Sequence, residues 1–235
     1  MLLYIIRHGD PDYATDSLTP KGLLQAEAVG QRLFHANIDK IFTSPMGRAK
    51  QTAEPACRLL GLTSHIEPWA HEIEDEMMVN FPDGQRKPLG GVQNSCFLEN
   101  GGIHLPYDEA LKAPGFNESS MGSAMEYIQD GGRDFLLRLG YKEEASGVYR
   151  ILQPSDERIA LFCHAALART WISHLLHIPI HLMFGGFNYC HTGVTILEFK
   201  NFENGFTAPK CLCYSDLSHF IPAGLEMVYN NYLPI

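Results

Sequence analysis

Apolar residues in this chain fall in two rhythms, short unbroken runs and longer stretches at helical spacing, and the two alternate. Leu2 to Ile6 is a continuous apolar run rich in β-formers, which predicts a strand buried on both faces of a parallel sheet. Asp10-Pro11-Asp12-Tyr13 reads as a turn-prone acidic loop. Thr19 suits a helix cap and Pro20 the first helical position. Leu23, Ala26, Val29, Gly30 and Leu33 then recur at helical spacing, with Gln25, Gln31 and Arg32 mostly off the apolar stripe. The unit repeats with Lys40 to Thr43 as a strand, Ser44 as N-cap, Pro45 at the first helical position, and a helix to Leu60 that Gly61 stops. Arg158 to Cys163 predicts a third buried strand, followed by a helical pattern through Leu167, Trp171, Leu175 and Leu176 that ends before Pro179. Thr192 to Phe199 reads as a further strand, and Ala124, Ile128, Phe135 and Leu139 mark another helix.

This alternation makes the fold class α/β, and 235 residues without a low-complexity boundary favour a single domain over 1–235. A 45% hydrophobic, 19% charged composition supports a sizeable core. The formal net charge of -9 opposes nonspecific binding to nucleic acid or an anionic membrane, so an anionic ligand needs a local basic pocket. The N-terminal apolar run is too short for a signal peptide's hydrophobic region, and no stretch reaches transmembrane length. Six scattered cysteines fit a reducing compartment, so the expected location is cytoplasmic. Cys211 and Cys213, with His219 downstream, lack the second pair of a zinc site and read as strand-borne thiols; no metal is expected.

The strand ends carry the candidate chemistry. Arg7 and His8 follow the first strand, with Gly9 free to turn the backbone sharply, and ligands of open α/β sheets bind at that end. Arg48 falls in the first turn of the second helix, where a cation opposes the helix dipole at a cost of roughly a few tenths of a kcal/mol. An anion bound between the guanidinium and the helix amides removes that conflict. His164 closes the third strand. His177 and His181 flank Ile178-Pro179, which breaks helical spacing and favours surface placement, whereas His191 precedes the last core strand and faces the site in a minority reading.

These residues form a pattern: Arg7-His8-Gly9, then Leu18-Thr19-x-x-Gly22-x-x-Gln25-Ala26, then Thr43-Ser44-Pro45-Met46-x-Arg48-Ala49-x-Gln51-Thr52-Ala53, and a late strand ending in His164. The pattern resembles the histidine phosphatase superfamily, also called the phosphoglycerate-mutase-like fold. The resemblance implies a three-layer α/β/α sandwich with a mostly parallel central sheet. It also implies a cofactor-independent reaction in which His8 attacks phosphorus and later yields the phosphoryl group to water. Arg7 and Arg48 then bind the substrate's phosphate through bidentate, charge-assisted hydrogen bonds, with His164 as a further donor. The family's proton donor lies in an acidic segment after the second strand, where Glu72 is the first choice and Glu74 a close second. Ala165 stands where the family usually has Gly, and Pro11 and Ala14 where it often has Thr/Ser and Asn. Residues 77–121, rich in Gly, Pro and Asn, predict a long insertion beside the active site that acts as a lid or specificity element. The expected partner is a small phosphorylated metabolite.

Overall fold

The unbroken apolar runs build a six-stranded sheet in a computed structural model that describes residues 1–73, 78–80, 86–88, 99–113, 116 and 119–229. In chain order its strands are β1 (Leu2–Arg7), β2 (Lys40–Thr43), β3 (Ser64–Ile66), β4 (Arg158–Cys163), β5 (Val194–Glu198) and β6 (Lys210–Asp216). Across the sheet the order is β6-β5-β1-β4-β2-β3. The four strands β1, β4, β2 and β3 are parallel, and β5 and β6 add antiparallel pairs at one side.

Alternate residues of these strands feed two cores. Leu3, Ile5, Ile159, Leu161 and Cys163 pack on one face with residues of α3 (Met121–Arg138), α4 (Ala165–Leu175) and α5 (Ile180–Gly186). Tyr4, Ile6, Ile41, Ala160 and Phe162 pack on the other with α1 (Pro20–His35) and α2 (Gly47–Leu60). Two covered faces explain why the central strands are apolar throughout, and they give the three expected layers.

Local signals set most boundaries. Thr19 caps α1 by accepting a hydrogen bond from the Gly22 N–H at 3.1 Å, with Pro20 following. Gly61 ends α2 in the left-handed region, φ 67°, as its glycine allows. Three expectations are corrected. The buried stripe of α1 is rotated: Leu23 is 51% exposed, while Gln25 is buried and its Oε1 accepts the Asp10 N–H at 2.7 Å. A polar side chain with a backbone partner can occupy the inner face that spacing assigns to the apolar one. Second, Ser44 does not cap α2, which starts at Gly47 after Met46, because the Ser44 hydroxyl is engaged across the sheet by His164. Third, His181 is buried rather than at the surface, since α5 resumes helical packing directly after Pro179; His177 is exposed.

The expected insertion over 77–121 falls partly outside the described residues. Its later part includes Ala110, Ala113, Phe116 and Met121, all buried in the core with α3, α4 and α5. That part is a wall of the fold.

Register decides what meets at the sheet's C-terminal edge. Arg7 lies level with Cys163, and Phe162 with Thr43, so His8, His164 and Ser44 leave the sheet side by side. Because β5 runs antiparallel, with Val194 level with Ile6, the residues just before it arrive at the same edge. That turn contains His191.

Candidate active site

His8 is fixed through its backbone before its ring is considered. Its N–H donates to the Cys163 carbonyl at 3.0 Å, and its carbonyl accepts from the Thr192 N–H at 3.2 Å. The ring Nδ1 lies 2.7 Å from the Gly9 carbonyl oxygen. A carbonyl only accepts, so Nδ1 carries the proton and the lone pair is left on Nε2. Burial pushes the imidazole well below its ordinary pKa, Arg7 and Arg48 push it further, and the Gly9 carbonyl opposes them. The ring is therefore neutral.

Two further imidazoles flank it, His164 with its centroid 5.2 Å away and His191 at 5.6 Å. Ser44 Oγ accepts the Met46 N–H at 3.2 Å and meets His164 Nε2 at 2.7 Å. Where the hydroxyl gives its proton to Nε2, the proton of His164 stands on Nδ1. Among the described residues that buried Nδ1 has no hydrogen-bond partner, and neither have Arg7 Nε and His191 Nε2. Three orphaned polar groups around one ring call for a ligand, since buried polar atoms are otherwise satisfied. His191 Nδ1 stands 3.5 Å from Asp10 Oδ1, and burial, with Arg7 and His8 adding to it, holds its pKa far down.

The two arginines approach from different elements. Arg7, at the end of β1, donates from Nη1 to the Tyr189 carbonyl at 2.6 Å. Arg48 donates from Nη1 to Asp16 Oδ1 at 2.6 Å and has the Tyr13 ring centroid 5.3 Å from its guanidinium carbon. Thr52 ties α2 to the histidine loop: its hydroxyl donates to the Arg48 carbonyl at 2.7 Å and accepts the Gly9 N–H at 3.0 Å. Burial lowers the pKa of Arg7, with Tyr13 and Glu72 opposing, Tyr13 partly through a side-chain hydrogen bond. His8 is only 1% exposed and Arg7 9%. Tyr13, which contacts both guanidiniums, is 48% exposed.

Glu72 Oε1 accepts the Leu167 N–H, in the first turn of α4, at 3.2 Å and its neighbour's Ile73 N–H at 3.1 Å. It thus stands at the helix that His164 precedes. Glu74 lies outside the described residues. Tyr13, Asp16 and Thr52 carry no local sequence signal of a site role, whereas Ser44, which looks like a cap, carries one as a hydroxyl at a strand's C-terminal end. His219 Nε2 lies 3.1 Å from Thr192 Oγ1, and Asp216 pairs with Arg32, so both brace the turn that carries His191.

A cavity of about 520 Å³ lined by Tyr107, Arg133, Glu143 and His174 lies near the opposite end of α4 from His164. Its ionisable groups pair with one another, His174 with Glu143 at 2.6 Å and Glu143 with Arg133 at 3.0 Å, so it does not share the unsatisfied character of the histidine cluster. Cys211 and Cys213 lie on β6. Among the described residues no cluster of three or more His, Cys, Asp or Glu forms a metal site, and no helix is long and apolar enough to cross a membrane.

The chain is similar to known proteins in sequence and in fold. Residues 3–76 match the sequence model of the histidine phosphatase superfamily (branch 1). A curated relative named "Probable phosphoglycerate mutase GpmB", from Yersinia pestis (strain Pestoides F), is 33% identical over 140 residues, which cover 48% of this chain and 64% of the relative. The chain thus spans just under two thirds of that relative's length. Phosphoserine phosphatase from Entamoeba histolytica, solved with 3-phosphoglyceric acid, superposes with a TM-score of 0.58 at 23% identity, covering 93% of this chain and 98% of that one. A mycobacterial glucosyl-3-phosphoglycerate phosphatase gives 0.58 at 17% identity, covering 91% and 98%. At such identities these two structures speak for the fold alone. The motif order, the sheet and the family match over β1 to β3 agree, and in them the chain is similar to the histidine phosphatase superfamily.

Proposed function

We propose that this chain is a phosphatase that hydrolyses a small phosphomonoester through a phosphohistidine on His8. The observation that carries this reading is the neutral His8 ring, with Nδ1–H held by the Gly9 carbonyl, Nε2 left as the nucleophile, and unsatisfied buried donors of Arg7 and His164 beside it. Nε2 attacks phosphorus and forms the P–N bond as the ester P–O bond breaks, and the leaving oxygen takes a proton from Glu72. Water then attacks phosphorus, the P–N electron pair returns to His8, and Glu72 recovers the proton from that water. Charge on the three equatorial oxygens is met by Arg7, Arg48 and the Nδ1–H of His164, donors set before reaction. Whole-chain organisation follows the same reading: one domain over 1–235, with residues 77–121 contributing substrate specificity, acting on a phosphorylated metabolite in the cytoplasm.

The test is release of phosphate from an aryl phosphate by the wild type and by His8→Ala. Loss of about a thousandfold or more in the variant is expected, together with an acid-labile, base-stable phosphoryl group on quenched wild type. Equal rates from two folded proteins would show instead a binding module with no need of a nucleophile.

A second reading rests on the 33% identity to a protein named as a phosphoglycerate mutase. A mutase returns the phosphoryl group to the substrate at another position. Incubation with 3-phosphoglycerate separates the two: 2-phosphoglycerate without free phosphate establishes the mutase and overturns the phosphatase.

A further inference from the structure

We propose that Asp16 is the positioning residue of the phosphoryl site, holding the Arg48 guanidinium in place through a carboxylate shared with the first amide of α2. This rests on the phosphate-binding role given to Arg48 above. One oxygen, Oδ1, accepts from Arg48 Nη1 at 2.6 Å, and the other, Oδ2, accepts the Gly47 N–H at 2.6 Å. A single carboxylate therefore answers both positive features at the start of α2, the exposed amide end and the cation that opposes the dipole.

Burial decides why this matters. The Arg48 side chain is 3% exposed and that of Asp16 is 42%. A guanidinium so far from water is costly to hold without an anion beside it whenever substrate is absent. Asp16 supplies that anion at neutral pH: its own burial pushes the carboxyl pKa up, but the Gly47 N–H and Arg48 outweigh this and hold it below the usual range.

The backbone is shaped for the same contact. Asp16 adopts φ 49°, in the left-handed region that Asp tolerates better than most residues. A Cβ on Gly47 would stand 2.2 Å from the Asp16 carbonyl oxygen, so only glycine lets the loop press against the helix start. Asp16 engages Arg48 through Nη1 and not as a bidentate fork, an attachment that sets the direction of the guanidinium plane without covering it.

The experiment measures binding of inorganic phosphate by calorimetry to the wild type, Asp16→Ala, Asp16→Asn, Arg48→Ala and the Asp16→Ala/Arg48→Ala double variant, with the melting temperature of each. Asp16→Ala should weaken phosphate about tenfold, the scale of a hydrogen bond to a charged group. Asp16→Asn, which keeps an acceptor for the Gly47 N–H but not the charge, should fall between. The double variant should bind no worse than Arg48→Ala, because the effect of Asp16 on phosphate is carried by that side chain. Phosphate bound as tightly or more tightly by the Asp16 variants would make the carboxylate a competitor of the ligand and overturn the inference. Fully additive losses in the double variant would overturn it too, as the mark of a general structural role. Should Asp16→Ala fail to fold, the near-isosteric Asp16→Asn decides in its place, alone and combined with Arg48→Ala. A wild type that binds phosphate in this pattern yet hydrolyses no ester sinks the phosphatase reading and leaves Asp16 its role. Hydrolysis with an additive cycle does the reverse.

Discussion

A histidine that is to attack phosphorus must keep a lone pair, and at His8 two independent features secure it. The Gly9 carbonyl fixes the proton on Nδ1. Burial beside Arg7 and Arg48 makes a second proton costly. The expectation is direct: in an NMR titration of the free protein His8 stays neutral from roughly pH 7.5 down to pH 5.5, across the ordinary histidine value of about 6.5. A midpoint near that value would show that the ring is more solvated than its 1% exposure indicates. Arg7 and Arg48 differ in how they are held: Arg7 by a carbonyl from the turn before β5, Arg48 by a carboxylate from the loop before α1. Each guanidinium is thereby tied to a segment distant in sequence, and the two sides of the pocket are set separately.

At the level of elements, the site depends on how closely α1 and α2 lie together, since the loop before α1 carries Tyr13 and Asp16 and the start of α2 carries Arg48. Gly30 is the contact that permits it. A Cβ there would stand 2.8 Å from Pro55 Cβ and 3.1 Å from the Ala56 backbone nitrogen. Proline cannot retreat inside a helix, so Gly30→Ala should cost about 1–3 kcal/mol as overpacking despite alanine's better helix propensity. Urea unfolding reads this, and a stabilised variant would mean that the helices separate freely. In the sequence Gly30 looked like one more small residue on an apolar stripe; only the neighbouring helix gives it a purpose. The cap at Thr19 was legible because it involves atoms three residues apart. The misplaced start of α2 has the opposite cause: Ser44 is drawn off by His164, 120 residues away.

Across the whole molecule the buried imidazoles act together. His8, His164, His191 and His219 are all held below the ordinary histidine pKa, first by burial in each case, and His219 to about 3. The unfolded chain takes up protons on these groups as pH falls below about 6.5, while the folded chain does not. Protons bound preferentially by the unfolded state destabilise the fold, so stability should decline progressively from pH 7 to pH 5. Equilibrium urea unfolding at several pH values measures the slope. A flat profile would mean that these rings titrate equally in both states. A polar chain from His8 through Thr192 to His219 and on to Arg32 and Asp216 links the candidate site to the last strand.

The sequence by itself determined the alternation of strands and helices, the Thr19 cap and the Gly61 stop, and, through the spaced motifs around His8 and Arg48, the resemblance to a known superfamily. Each of these is written in neighbouring residues or in a motif whose members lie within a dozen positions. Tertiary structure alone decided that the Gly9 carbonyl holds Nδ1, that Ser44 serves His164, that Asp16 and Tyr13 close over the guanidiniums, and that His191 joins the two histidines the motifs had named. Those contacts depend on register, with Arg7 level with Cys163 and Val194 level with Ile6. Register is settled by the packing of both faces of the sheet at once, an energy shared among residues that no local pattern brings together.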